Sequence, residues 1–277
     1  MGHEGPAAHA GAEGVAGVRG VLRPDGAAGR FTLGRVEPPP DLAPFVEYFW
    51  SVRWDLRGEP PHEQSVLPHP CVHLVFEPGG AHVYGVDTRV FTRRLEGSGQ
   101  VLGARFRAGC FRPFSPVPVA DLTDQVRPAA GFFGRPGERV PAVNEAIMRA
   151  GSAQAMSEIA TGFLRSVAPP RDPVAEQVAG MAHRIGTDLE LRSVGQLAGT
   201  FTMNERRLQR LFAEYVGVSP KWVMRRARLH EAALRADSGE DIDWARLATG
   251  LGYADQSHLT REFTTTLGVP PARYRSR

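Results

Sequence analysis

Apolar and polar positions change their period along this 277-residue chain, and the changes mark its parts. Between residues 31 and 114 apolar residues come in short runs interrupted by turn formers. Residues 71–76, 81–86, 90–95 and 101–106 are strand-length, with breaks such as Pro78-Gly79-Gly80 and Gly97-Ser98-Gly99 between them, so this part is expected to be β-rich. Ahead of those runs, Asp41 follows three prolines and suits an N-cap. Leu42, Phe45, Val46 and Phe49 recur three and four positions apart, which predicts a helix there. Over residues 140–167 Val143, Ile147, Met156, Ile159 and Phe163 take roughly helical spacing, so a helical segment follows the sheet. Ala168-Pro169-Pro170-Arg171 then ends it and gives the domain boundary.

The second half begins with Asp172 as cap and Pro173 as first residue of a helix whose Val174, Val178, Met181 and Ile185 recur on one face. A short helix over 193–199 turns Val194, Leu197 and Ala198 inward. After a turn at 200–203, Asn204 caps a helix whose Leu208, Leu211, Phe212 and Tyr215 face the core. Gly217 ends that helix, and Ser219-Pro220 opens a long one to about residue 236, carrying Trp222, Val223, Ala227, Leu229 and Ala233. The pattern then returns: a short helix over 242–250, a turn through Leu251-Gly252-Tyr253, a helix from Asp255 through Leu259, Phe263 and Leu267, and a closing turn at 271–275.

That return is a duplication. Leu197-Ala198, Leu208, Arg210, Phe212, Gly217, Val218 and Pro220 recur as Leu247-Ala248, Leu259, Arg261, Phe263, Gly268, Val269 and Pro271, about 51 positions on from the second leucine onward. Two copies are too few for a solenoid. Short helix, turn, longer helix is the helix-turn-helix arrangement, and two of them suit duplex DNA, whose repeat is roughly 34 Å.

With Leu208, Leu211 and Phe212 inward, Arg206, Gln209 and Arg210 share the opposite face; with Leu259 and Phe263 inward, Gln256, Ser257, Thr260 and Arg261 point out. Arginine can pair bidentately with guanine and glutamine with adenine. A single polar helix face is ordinarily just solvated, but two equivalent faces at one period favour binding.

The stretch Trp244 to Arg275, with Leu247-Ala248, Leu251-Gly252-Tyr253, Asp255-Gln256-Ser257-His258-Leu259, Arg261, Phe263, Gly268, Pro270-Pro271 and Tyr274-Arg275, resembles the DNA-binding signature of AraC/XylS-type transcription regulators. Leu197 to Pro220 resembles that family's first helix-turn-helix. The resemblance implies seven helices over 173–277 and two units joined by the long helix. By matching positions, Arg206, Gln209 and Arg210 would serve one major groove of double-stranded DNA, and Gln256, Ser257, Thr260 and Arg261 the next. It also implies an activator that contacts RNA polymerase, as many members do. In the first turn the family usually has glycine, and the matching position here is Thr202, whereas the second turn keeps Gly252. A turn needing positive φ would be strained by a β-branched residue, so either the first unit docks less rigidly or its turn differs. Leu67-Pro68, Cys71-Val72, Gly85 and the run from Val101 to Gly109 resemble β-rich sensor regions of the same group. This implies binding of a small-molecule effector, a homodimer, or both.

Composition adds limits. Hydrophobic residues make up 42% and charged residues 23%, and no apolar run is long enough to span a bilayer, so no membrane partner is expected. Residues 1–29 lack the basic start and apolar core of a signal peptide and read as a disordered tail on a cytoplasmic protein. The net charge of +3 falls entirely within 171–277, and Lys221 is the sole lysine, so nearly every cation is a planar guanidinium. Cys71 and Cys110 are too few for a disulfide framework and are expected to be reduced thiols. His69, Cys71 and His73 alternate, with His62 and His82 nearby, a set suited to zinc or copper; a buried cysteine beside partly exposed histidines is the plainer reading, so no metal and no cofactor is expected. Tyr48, Phe49, Trp50 and Trp54 belong to a core more readily than to a ligand pocket. An enzymatic alternative, the adaptive-response alkyl-DNA methyltransferases that carry the same DNA-binding module, needs a cysteine cluster that two distant cysteines do not supply. No Gly-x-Ser-x-Gly elbow or His-Glu-x-x-His motif is present either, and no enzyme is expected.

The expectation is therefore an α+β chain of two domains: a tail over 1–29, a β-rich sensor-like domain over 30–130, a helical segment and linker over 131–170, and an all-α double helix-turn-helix domain over 171–277.

Overall fold

The computed structural model describes Leu22 and residues 29–188, 190–237 and 242–274. Among the described residues eight strands precede nine α-helices: β1 (Thr32–Val36), β2 (Val46–Leu56), β3 (His62–Val66), β4 (His73–Glu77), β5 (Gly80–Tyr84), β6 (Phe91–Leu95), β7 (Gly97–Phe106) and β8 (Val126–Pro128), then α1 (Val140–Arg149) and α2 (Ala153–Val167). Six strands form one antiparallel sheet in the order β1-β2-β7-β4-β5-β8, and β3 pairs with β6 in a separate ladder running from His62↔Leu95 to Val66↔Phe91. The strands expected over 71–106 are present, shifted by a few residues. The helix expected over 41–49 is not: residues 41–45 make a turn and β2 starts at Val46. Leu42, Phe45, Val46 and Phe49 are all buried as their spacing suggested. A single turn followed by a bulged strand places them on one side as well as a helix would, and the ladder bonds from β1 and β7 on either side of β2 decide for the strand.

The helix-facing side of the sheet carries Phe49, Leu74, Phe76, Leu102, Ala104 and Phe106, packed with Ile147, Met156, Phe163 and Leu164 from α1 and α2 into one core. On the other side Trp50 lies across β7 so closely that a Cβ on Gly103 would fall 2.1 Å from its ring. The β3–β6 ladder covers part of this side: Arg93 of β6 pairs with the buried Glu77 of β4 at 2.8 Å, and Phe91 meets the Tyr84 ring edge to face at 6.2 Å. Leu22, within the segment expected to be a disordered tail, is buried and donates its N–H to the Ser65 carbonyl. The rest of that tail, apart from Gly29, lies outside the described residues.

The helical region holds α3 (Pro173–Thr187), α4 (Val194–Thr200), α5 (Glu205–Tyr215), α6 (Pro220–Asp237), α7 (Trp244–Gly250), α8 (Gln256–Leu267) and α9 (Pro271–Tyr274). Five of these starts are fixed by the side chains the sequence offers: Asp172, Ser193, Asn204, Asp243 and Asp255 each accept a backbone N–H from the first turn, and Ser193 forms a reciprocal box with Gln196. Two cores result. Val178, Met181, Leu197, Leu208, Phe212 and Val223 make the first; Leu229, Ala233, Ala248, Leu251, Leu259 and Phe263 make the second. The helix α6 lends its first half to one and its second half to the other. Among the described residues no helix is long and apolar enough to cross a membrane.

Candidate nucleic-acid interface

The two units can be superimposed bond for bond at their turns. In the first, Thr202 N–H donates to Gly199 O at 3.1 Å and Met203 N–H to Ala198 O at 3.0 Å; in the second, Gly252 N–H donates to Thr249 O at 3.0 Å and Tyr253 N–H to Ala248 O at 2.9 Å. Thr202 has φ 51° and Gly252 φ 75°. Of the two outcomes left open for the first turn, its shape is therefore kept, with a β-branched residue held in the left-handed region at a cost of about 1–2 kcal/mol. The second turn has one more residue, Ala254, before its cap Asp255, which is why the repeat lengthens from 50 to 51 positions.

Recognition faces follow from the cores. Leu208 and Phe212 are fully buried, so α5 presents Arg206, Gln209 and Arg210 to solvent; Leu259 and Phe263 are fully buried, so α8 presents Gln256, Ser257 and Arg261, with Thr260 half-buried beside them. Among the described residues Arg206, Gln209 and Arg210 have no side-chain hydrogen bond or ion pair. Arg261 is held by Nε donation to the Ser257 carbonyl at 3.4 Å. Each face thus brings together the side chains expected on it.

Two cations that the periodicity did not single out lie between the units. Arg228 of α6 donates from Nη2 to the carbonyl of Arg192, just ahead of α4, at 3.4 Å, and both side chains lie within 4 Å of where a Cβ on Gly252 would stand. The entry of the first unit thereby meets the turn of the second. Thirty-six residues separate the two arginines in sequence, and only the tertiary fold joins them. Nearby, Arg225 pairs with the buried Glu262 of α8 at 3.1 Å.

Cys71 and Cys110 are free and buried, and burial pushes both thiols up to about 11, so neither is presented as a thiolate nucleophile of the methyltransferase kind. The histidines disperse. His73, pushed down to about 3 by burial and then by Arg105, accepts from Trp50 Nε1 at 3.0 Å; His82 lies against Glu77; His69 stacks on His230 of α6 with centroids 3.8 Å apart. Among the described residues no group of three or more His, Cys, Asp or Glu side chains is placed to hold a metal ion. Phe49 is core, whereas Tyr48, Trp50 and Trp54 are half-buried on the far side of the sheet, and Trp54 lines an open groove of about 750 Å³ with Arg53, Gln100 and Met148.

Two helix-turn-helix units on one connecting helix, each with a polar recognition face in solvent, define a helix-turn-helix DNA-binding protein. Residues 197–277 match the family model described as Helix-turn-helix domain, and residues 34–128 match Domain of unknown function (DUF6597). No curated protein matches the chain. Among solved structures, ToxT from Vibrio cholerae is 11% identical over 89% of this chain and 97% of that one, at TM-score 0.41. The C-terminal domain of the two-component response regulator yesN from Fusobacterium nucleatum subsp. nucleatum is 16% identical over 38% of this chain and 99% of that one, at TM-score 0.33. An AraC-type DNA-binding domain-containing regulator from Chromobacterium violaceum is 19% identical over 35% and 90%, at TM-score 0.30. The chain therefore carries a helix-turn-helix domain over residues 197–277 and a DUF6597 domain over residues 34–128.

Proposed function

We propose that the chain is an AraC-type DNA-binding transcription regulator that reads one asymmetric DNA site through two successive major grooves, with Arg206, Gln209 and Arg210 in the first and Gln256, Ser257, Thr260 and Arg261 in the second. The observation that carries this reading is the pair of solvent-facing helices set on turns with the same backbone hydrogen bonds, similar in scaffold and different in side chains. Different side chains at equivalent positions read different bases, so one chain calls for a site without a palindrome. Arg192 and Arg228, at the junction, suit phosphates of the intervening backbone. The domain limits that fit this role are 30–130 for the sensor-like part, 131–170 for the helical connection and 171–277 for the DNA-binding part. The protein acts in the cytoplasm as a non-enzymatic activator, engaging RNA polymerase, with a small-molecule effector or a homodimer contact assigned to the β-rich domain.

Selection of bound fragments from a random duplex pool by the purified chain tests the reading. Two conserved segments about one helical turn apart, unlike in sequence, are expected, and log affinity should fall with log salt by about 0.9 for each phosphate contacted. Enrichment of no sequence, or of a single segment only, would sink it.

A further inference from the structure

The two loops that leave the same end of the β3–β6 ladder straddle α6. After β3, Leu67 is fully buried in the second helix-turn-helix core; ahead of β6, Val86 is fully buried in the first. Between these two plugs the loops offer backbone carbonyls to one face of α6. Arg226 donates from Nη2 to Thr88 O at 2.7 Å, and His230, four residues or about one turn further on, lies with Nε2 3.2 Å from Pro68 O. Both side chains are buried, at 4% and 8% exposure, so neither bond is incidental surface contact. The neighbouring segment adds a third hold at the joint between α5 and α6, where the Thr123 hydroxyl donates to Gly217 O at 2.8 Å. The same Thr88 that receives Arg226 is itself fixed by Asp124, through its N–H and its hydroxyl, each at 2.7 Å.

We propose that the β3–β6 ladder is the gauge that sets the angle between the two helix-turn-helix units, and hence the distance between the two DNA segments the protein accepts, with Arg226 and His230 as positioning residues. The two helical cores are distinct and share α6, and besides that helix they meet at the exposed contact of Arg192 and Arg228 with Gly252, a junction that leaves α6 some freedom to bend. A saddle that enters one core on each side of α6 removes that freedom. The ladder also rests on the far side of the main sheet through Arg93–Glu77 and Phe91–Tyr84, so anything that lifts it from the sheet changes the angle. This inference rests on the DNA-binding reading for its consequence, though not for its geometry.

Two measurements separate the one from the other. The first needs no DNA: spin labels on Ala213→Cys and Thr265→Cys, exposed positions on α5 and α8, report the distance between the units, and both native cysteines are buried out of reach. A narrow distribution in the otherwise unaltered chain and a broad or shifted one in Arg226→Met is the expected result. The second uses unlabelled protein and duplexes in which the spacing of the two selected segments is changed by one base pair either way. The unaltered chain should favour one spacing by about tenfold, and Arg226→Met by about threefold or less. His230→Phe, which keeps the ring stack and loses the bond to Pro68, supplies a second variant should Arg226→Met fail to fold. Variants that melt cooperatively and keep both the distance distribution and the spacing preference overturn the proposal. A broadened distance in a protein that selects no DNA would leave the gauge standing and remove the groove reading.

Discussion

The first helix-turn-helix unit carries Thr202 at φ 51° where the second carries Gly252 at φ 75°, yet both turns make the same pair of backbone hydrogen bonds after the same Leu-Ala pair. The first is the more basic, with Arg206 and Arg210 against Ser257 and Arg261, and its turn is one residue shorter. What the pair teaches is that core and backbone bonds dictate the shape, while the residue at the turn only sets how much the shape costs. The recognition face is free to differ because it takes no part in either.

The largest test of that division is removal of the buried ring in each unit. Phe212→Ala and Phe263→Ala should each cost about 3–5 kcal/mol, and since the rings belong to separate cores, urea unfolding of either variant should show the damaged unit melting ahead of the other. One merged transition in both would break the picture of two cores. Next in size, Arg210→Ala and Arg261→Ala should each weaken binding to the selected site by about 1–3 kcal/mol and relax preference in one segment only, read by repeating the fragment selection with each variant. Loss of preference in both segments from either change would mean that the faces are not independent readers. The smallest effect exchanges the turns: Gly252→Thr should lower stability by about 1–2 kcal/mol, and Thr202→Gly should raise it by up to about 1 kcal/mol, because relief of the left-handed strain outweighs the added freedom of the unfolded glycine. Ordinary van der Waals space around Gly252 leaves φ as the cause. Unchanged urea midpoints in both would show the strain to be absent.

The helical region was legible because its determinants are local. Asp172, Ser193, Asn204, Asp243 and Asp255 cap within one turn of themselves, and Leu208 and Phe212 fall a turn apart on the buried face. The β-rich region was less so. Residues 42–49 have a spacing that a helix and a bulged strand both satisfy, and the choice lay with β1 and β7, the latter some fifty residues downstream. β1 and β3 have few strongly apolar positions to announce them: Thr32–Val36 lies at a sheet edge, and His62–Val66 is mostly polar. The exposed arginines and glutamines of the two faces could be read from helical period, whereas the meeting of Arg192 with Arg228, and of Arg226 with Thr88, required the fold.

The one-residue difference between the turns has a practical meaning for anyone rebuilding this protein. A recognition helix transplanted alone from one unit to the other would arrive out of phase, since Ala254 has no counterpart between Met203 and Asn204. Cut instead at the Leu-Ala pair and at the proline that opens the following helix, residues 197–220 and 247–271 become equivalent segments, each carrying its own turn, cap and closing glycine. Under the proposed groove assignment, an exchange of the two segments should reverse the order of the two DNA segments that the protein selects.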